Sequence, residues 1–229
     1  MNNNILNDAI AWDVVNWSKA VALWERNLPE NLGGLNTLEL GCGANGGLTL
    51  WLSDKGASVV CSGYAGVPDE AKVIHRKYGF SEGIRYETID ALAIPYEKEF
   101  DIICFKSMLG GIERDAGPGS ASKVIAQIHK ALKPGGILLF AENLESTSLH
   151  KLLRGKFGAG KNKWHYFACE ELPDQLKIFK SVKYETFGFL GCLGLNEPMR
   201  NIFGKMDTLF IEKLTPADKR YIISCIAVK

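Results

Sequence analysis

Between residues 36 and 142 short apolar runs alternate with helical stretches, and few folds accept that order. Asn36–Leu40, Ser58–Cys61, Ile84–Ile89, Phe100–Phe105 and Gly136–Ala141 read as strands. Gly47–Lys55, Pro68–Tyr78 and Ser120–Leu132, all approximate bounds, read as the helices between them. Ile102-Ile103-Cys104-Phe105 and Ile137-Leu138-Leu139-Phe140 are apolar at every position rather than at every second one. A strand with one face in water cannot carry that pattern; a strand covered on both faces can. The expectation is a doubly wound, Rossmann-like α/β domain with a mostly parallel sheet.

The flanks complete the domain. Ile10, Val14, Trp17, Val21, Trp24 and Leu28 recur at steps of four and three, one face of a single amphipathic helix closed by Pro29 and Gly33-Gly34. Residues 1–34 are thus expected as an N-terminal helical lid, 35–142 as a cofactor-binding half and 143–229 as a substrate-side half. In the last part, Leu144–Leu153 reads as a helix and Phe157–Lys163 as a glycine- and lysine-rich loop. Glu170–Phe179 reads as a helix with Pro173 in its first turn, and Val182–Phe189 and Tyr221–Val228 as two further strands. An insertion of roughly residues 190–220, helical around Met199–Leu214, separates those strands. Its Leu, Met and Phe content suits a substrate cap, a homodimer surface or a membrane-facing patch.

Charge narrows the partners. Lys plus Arg (27) nearly equals Asp plus Glu (26), for a net +1. A chain that grips many phosphates of a nucleic acid carries a basic excess, so no nucleic acid is expected. Met1-Asn2-Asn3-Asn4 lacks the basic start of a signal peptide, and no run of about 18 apolar residues marks a transmembrane segment. Six scattered cysteines without a CxxC pair predict reduced thiols, a cytoplasmic location and no metal site.

The chemistry centres on Glu39-Leu40-Gly41-Cys42-Gly43-Ala44-Asn45-Gly46-Gly47, a glycine turn between a strand and a helix. Glycines there allow a tight turn and bring backbone N–H groups close to a ligand. A tight turn holding nothing has the same outline. A nicotinamide dinucleotide site normally adds an acid about 20 residues on, at the end of the second strand. Here that strand ends Ser62-Gly63-Tyr64, without one. Glu39, two residues before the first glycine, would repel a pyrophosphate but suits the ammonium and sulfonium of S-adenosylmethionine (SAM).

Thr37-Leu38-Glu39-Leu40-Gly41-Cys42-Gly43 resembles the first motif of class I SAM-dependent methyltransferases, with three more segments in that family's order. These are Ile89-Asp90-Ala91, Phe100-Asp101-Ile102-Ile103 and Leu132-Lys133-Pro134-Gly135-Gly136. A narrower likeness, to bacterial methyltransferases found with polysaccharide-assembly enzymes, rests on four stretches. They are Gly46–Leu52, Phe105–Ile112, Phe140–Asn143 and Thr186–Gly191. The resemblance implies a seven-stranded sheet with its last strand antiparallel. It implies SAM as cofactor, held around Glu39, Gly41, Cys42, Gly43, Gly46, Ser62, Gly63, Tyr64, Asp90, Ala91 and Phe105. The activity implied is methyl transfer, expected at an oxygen of a small molecule or sugar, nucleotide- or lipid-linked, in a polysaccharide pathway. One departure stands out. The family's ribose-binding acid falls at Gly63, and losing a charge-assisted bidentate contact costs about 1.5–3 kcal/mol. Ser62, Tyr64, Asp69 and Glu70 are the residues at hand to replace it.

Methyl transfer needs alignment and, for a hydroxyl acceptor, a base. Lys106 and Ser107 follow the fourth strand, and Glu142 and Asn143 the fifth, where groups in an open parallel sheet meet a ligand. Among the histidines, His75 and His129 fall within helices. His165, in Trp164-His165-Tyr166-Phe167, is the first candidate base and His150 the second. Lys106 and Glu142 complete the catalytic candidates. The cations of Lys151–Lys163 read either as a solvated face or as a phosphate contact. Two rival functions remain at this point: a nicotinamide-dependent oxidoreductase, and a catalytically degenerate methyltransferase fold serving as a partner protein.

Overall fold

The computed structural model describes residues 3–156 and 163–229, so the expected loop at Phe157–Lys163 lies, but for Lys163, outside the described residues. One sheet holds β1 (Asn36–Glu39), β2 (Ser58–Gly63), β3 (Ile84–Thr88), β4 (Phe100–Lys106), β5 (Leu132–Asn143), β6 (Ser181–Phe187) and β7 (Ile222–Val228). The order is β3-β2-β1-β4-β5-β7-β6, and β7 alone runs against the direction of the other six. The seven-stranded, mostly parallel expectation holds.

Register explains the unbroken apolar runs. Val60, Leu38, Ile103, Leu138 and Ala227 stand side by side across five strands and face one core. The next row, Cys61, Glu39, Cys104, Leu139 and Ile226, faces the other way. Helices cover both faces. On the first, α6 (Ser120–Ala131) presents Ala121, Val124, Ile125 and Ile128 at helical spacing, all buried. On the second lie Trp17, Val21 and Trp24 of α2 (Val14–Glu25), with Trp51 and Leu52 of α3 (Thr49–Asp54). Each fully buried side chain of this size contributes about 1.5–3 kcal/mol of transfer free energy.

Several elements depart from expectation. The single N-terminal helix is two, α1 (Asn3–Ile10) and α2, because Ala11 and Asp13 take positive φ (63° and 47°) and turn the chain between them. The amides of Asp13 and Val14 that open α2 are capped by the Glu197 carboxylate, 184 and 183 residues away, at 3.1 and 3.0 Å. Helix α4 (Asp69–Lys77) is where expected, whereas α5 (Leu109–Ala116) is an element the sequence reading does not include. Leu144 does not start a helix but bridges to Phe167, and α7 begins at Ser148, running to Lys156. The expected helix Glu170–Phe179 is α8 (Glu171–Gln175) followed by a 3-10 turn. The insertion holds α9 (Glu197–Met206), a π-helical stretch Asp207–Ile211 and α10 (Glu212–Leu214). Asp207 points inward from that stretch, where its carboxylate accepts from the amides of Phe189, Leu190 and Gly191. Among the described residues no helix is long and apolar enough to cross a membrane.

Candidate active site

Strand order reverses between β1 and β4, which opens a crevice at their carboxyl ends. A cavity of about 440 Å³ lies there, lined among others by Gly41, Tyr64, Asp90, Ala91, Ser107 and Met108. Gly41 has φ +72°, and its amide and that of Cys42 both donate to Ser62 O at 3.0 Å. A Cβ on Gly41 would only touch the Met108 sulfur, at 3.4 Å, so it is the left-handed backbone of the turn that favours glycine there.

Glu39 does not line this cavity. It is 2 % exposed, and its carboxylate accepts from the Leu48 amide (2.7 Å), the Thr49 amide (2.7 Å) and the Thr49 hydroxyl (2.6 Å). It therefore caps the start of α3, where the helix dipole favours an anion. Burial between Cys61 and Cys104 lifts its pKa to about 7 against the pull of those hydrogen bonds. Its contact with the turn is structural, since a Cβ on Gly47 would collide with it. Glu142 does the same on the opposite face, its carboxylate accepting from the amides of Met108 (2.8 Å) and Leu109 (2.7 Å) and capping α5. Burial raises its pKa as well.

The remaining cofactor candidates divide. Asp90 lines the cavity; one of its oxygens accepts from the Leu92 amide (2.9 Å), and the other has no protein partner among the described residues. Tyr64 is 78 % exposed at the rim. Ser62 turns away, fully buried, its hydroxyl donating to Glu39 O at 2.7 Å. Gly63 is fixed by its own loop, for a Cβ there would collide with the Gly66 carbonyl. An acid therefore cannot occupy position 63 while the Gly63–Gly66 turn stands. Asp69 is spent on Lys72 at the surface. Phe105 is a core residue, stacked on Phe140 at 4.9 Å, because even positions of β5 and odd positions of β4 face the α6 side. Cys42 is buried with the α2–α3 core, and Gly43 and Gly46 lie in the turn without lining the cavity. His75 has an unforeseen role: Nε2 lies 2.8 Å from Gly46 O and Nδ1 3.0 Å from the Tyr86 hydroxyl, so α4 pins the turn.

Of Lys106, Ser107, Glu142 and Asn143, at the carboxyl ends of β4 and β5, only Ser107 lines the cavity. Asn143 Nδ2 donates to its hydroxyl at 2.6 Å and holds it there. Lys106 points to the opposite face, where Nζ donates to Ile10 O (3.1 Å) and lies 5.2 Å from the Trp17 ring centre. Desolvation depresses its pKa, opposed by Glu39 and Glu142.

The histidines differ sharply. Both ring nitrogens of buried His150 are used, Nδ1 with the Thr147 hydroxyl and Nε2 with Phe189 O, each at 2.7 Å. His165 instead lines a second cavity of about 600 Å³ with Arg114, Lys151, Arg154, Trp164 and Tyr166. Trp164 borders both cavities and lies across Gly110 and Gly111 of α5.

A methyltransferase-domain family model matches residues 17–180. No protein of curated description matches the chain in sequence. Among solved structures, a SAM-dependent methyltransferase of Methanosarcina mazei is 17% identical with a TM-score of 0.61, covering 90% of this chain and 96% of that one. One from Mesorhizobium loti is 18% identical with a TM-score of 0.59, covering 93% and 97%. Phosphoethanolamine N-methyltransferase 2 of Haemonchus contortus, solved with SAM, is 16% identical with a TM-score of 0.61; the chain, 93% covered, spans about half (52%) of its length. These likenesses show the fold, and the family model adds the lineage. The chain belongs to the methyltransferase-domain family and has the fold of its SAM-dependent members.

Proposed function

We propose that this chain transfers a methyl group from SAM to an oxygen of a small-molecule or sugar acceptor in a polysaccharide or related pathway. The observation that carries the reading is the pair of cavities meeting at Trp164, one at the glycine turn and one bearing a histidine. In the first, Gly41, Tyr64, Asp90, Ala91 and Ser107 would hold the cofactor, whose sulfonium supplies the methyl group. Asp90 keeps one carboxylate oxygen available for an amino group, and the opening over Gly41 fits close approach to backbone. In the second, Trp164 and Tyr166 offer flat apolar faces to a sugar or an aromatic ring. His165, which lines this cavity, would accept the proton of an acceptor hydroxyl. The helices α1 and α2 line neither cavity; packed on the sheet's second face and tied to β4 by the Lys106 bond to Ile10, they would brace the site from behind rather than close over it.

With Gly63 closed to an acid, the ribose contact falls to the rim, and cofactor affinity rests on Asp90 and the turn. Calorimetric titration with S-adenosylhomocysteine and with NADH tests this. Micromolar binding of the first and none of the second is expected. NADH binding alone would make the oxidoreductase reading correct, and silence towards both at millimolar concentration the degenerate-partner one.

A further inference from the structure

Arg154, on α7, is 9 % exposed, and among the described residues no carboxylate pairs with it. Its guanidinium donates to Leu144 O (2.7 Å) through Nη1 and meets Cys192 Sγ (3.7 Å) through Nη2. It stacks between two rings, 4.5 Å from the Tyr166 centre and 5.6 Å from that of Tyr221. A buried cation without a counter-ion is costly, and a protein keeps one where an anion arrives. Arg154 lines the 600 Å³ cavity under Trp164 and His165.

The other charges of that cavity sharpen the point. Lys151 is matched by Glu145 at 2.6 Å, and Arg114 by Asp115 at 2.6 Å. The Glu113 carboxylate is taken up by the amides of Gly119 and Ala121. Lys163, like Arg154, lines the cavity with no acidic partner among the described residues. Two unmatched cations, one of them a planar fork with donors to spare, ask for a doubly charged, multi-oxygen anion rather than a single carboxylate.

We infer that the second cavity is an acceptor site for a phosphorylated molecule, its phosphate or diphosphate seated on Arg154 and Lys163. The inference rests on the methyl-transfer reading for its role as acceptor site, but not for the anion site itself. The phosphate anchors one end of the acceptor, and the end to be methylated passes His165 and Trp164 towards the cofactor cavity.

Calorimetric titration of the full chain with inorganic pyrophosphate, inorganic phosphate and acetate, at matched ionic strength, tests it. Pyrophosphate should bind saturably at submillimolar concentration, phosphate more weakly, and acetate not at all. Lys163→Gln, a change at the cavity edge, should weaken pyrophosphate binding at least tenfold, and Arg154→Gln should do the same or more. If Arg154→Gln fails to fold, Lys163→Gln decides alone. Absence of saturable binding, an affinity unmoved by Lys163→Gln, or equal affinity for acetate would overturn the proposal. Titration with S-adenosylhomocysteine runs in parallel: its failure in the unmodified chain defeats the methyltransferase reading and leaves the pyrophosphate result standing.

Discussion

Gly110 and Trp164 stand so close that any Cβ at position 110 would collide with the indole nitrogen and with the neighbouring carbonyl of His165. The His165 amide donates to Gly110 O at 3.3 Å, so the contact is a docked strap against α5 and not a chance approach. This single packing relationship seats the wall that both cavities share.

Gly110→Val should therefore displace the strap. Overpacking of this kind costs about 1–3 kcal/mol, visible as a lower urea midpoint. The same variant should lose methyl transfer more than S-adenosylhomocysteine affinity, because Gly41 and Asp90 lie outside the strap. A variant with unchanged stability and turnover would show that Trp164 is not held there.

Two buried carboxylates make stability fall as pH rises. Asp13, fully buried, accepts from the Tyr221 hydroxyl and from Asn16, with Asp207 and Glu197 nearby; burial lifts its pKa to about 7. Glu39 rises to about 7 for the same reason. An acid raised above its unfolded value of about 4 binds its proton more tightly when folded. Its contribution is complete below pH 4 and is lost as pH climbs through about 7. Unfolding free energy should thus decline between about pH 4 and about pH 7 and level off above, and Asp13→Asn should flatten that slope by up to one proton, about 1.4 kcal/mol per pH unit. Urea denaturation at several pH values measures it, and an unchanged slope would remove Asp13 from the account.

His150 and His165 should separate stability from turnover. His150→Asn breaks two buried hydrogen bonds and should cost about 1–3 kcal/mol, with little change in kcat beyond lost folded protein. His165→Asn should leave the melting temperature within a degree or two and lower kcat by about 10²-fold or more, as loss of a general base does. Equal stability effects, or full turnover by His165→Asn, would contradict the assignment.

Much of the fold was legible because the strands are apolar at every position and the glycine turn punctuates them. The misses have physical causes. Steps of three and four from Ile10 to Leu28 run almost wholly through α2 and touch α1 only at Ile10, so they cannot reveal that Ala11 and Asp13 turn the chain between two helices. The α5 helix over Leu109–Ala116 leaves little sequence signal because Gly110 and Gly111 lower its helix propensity, and only the packing of Trp164 shows why they are there. Glu39 draws attention as a carboxylate beside a cofactor turn, yet its hydrogen bonds go to α3; sequence shows the residue type and not its rotamer. Lys106 alternates to the face opposite Phe105, a parity fixed by register alone. The missing acid at Gly63 was visible, but its cause, the Gly66 carbonyl packed against it, was not. His75 carried no signal beyond its place in a helix.

A crystal structure with S-adenosylhomocysteine decides whether the cavity at Gly41 is the cofactor site. Ligand density is expected in the cavity lined by Gly41, Tyr64, Asp90 and Ser107, with an Asp90 oxygen engaged and Glu39 still capping α3. Density elsewhere, or a ligand held by Glu39 with α3 uncapped, would contradict it.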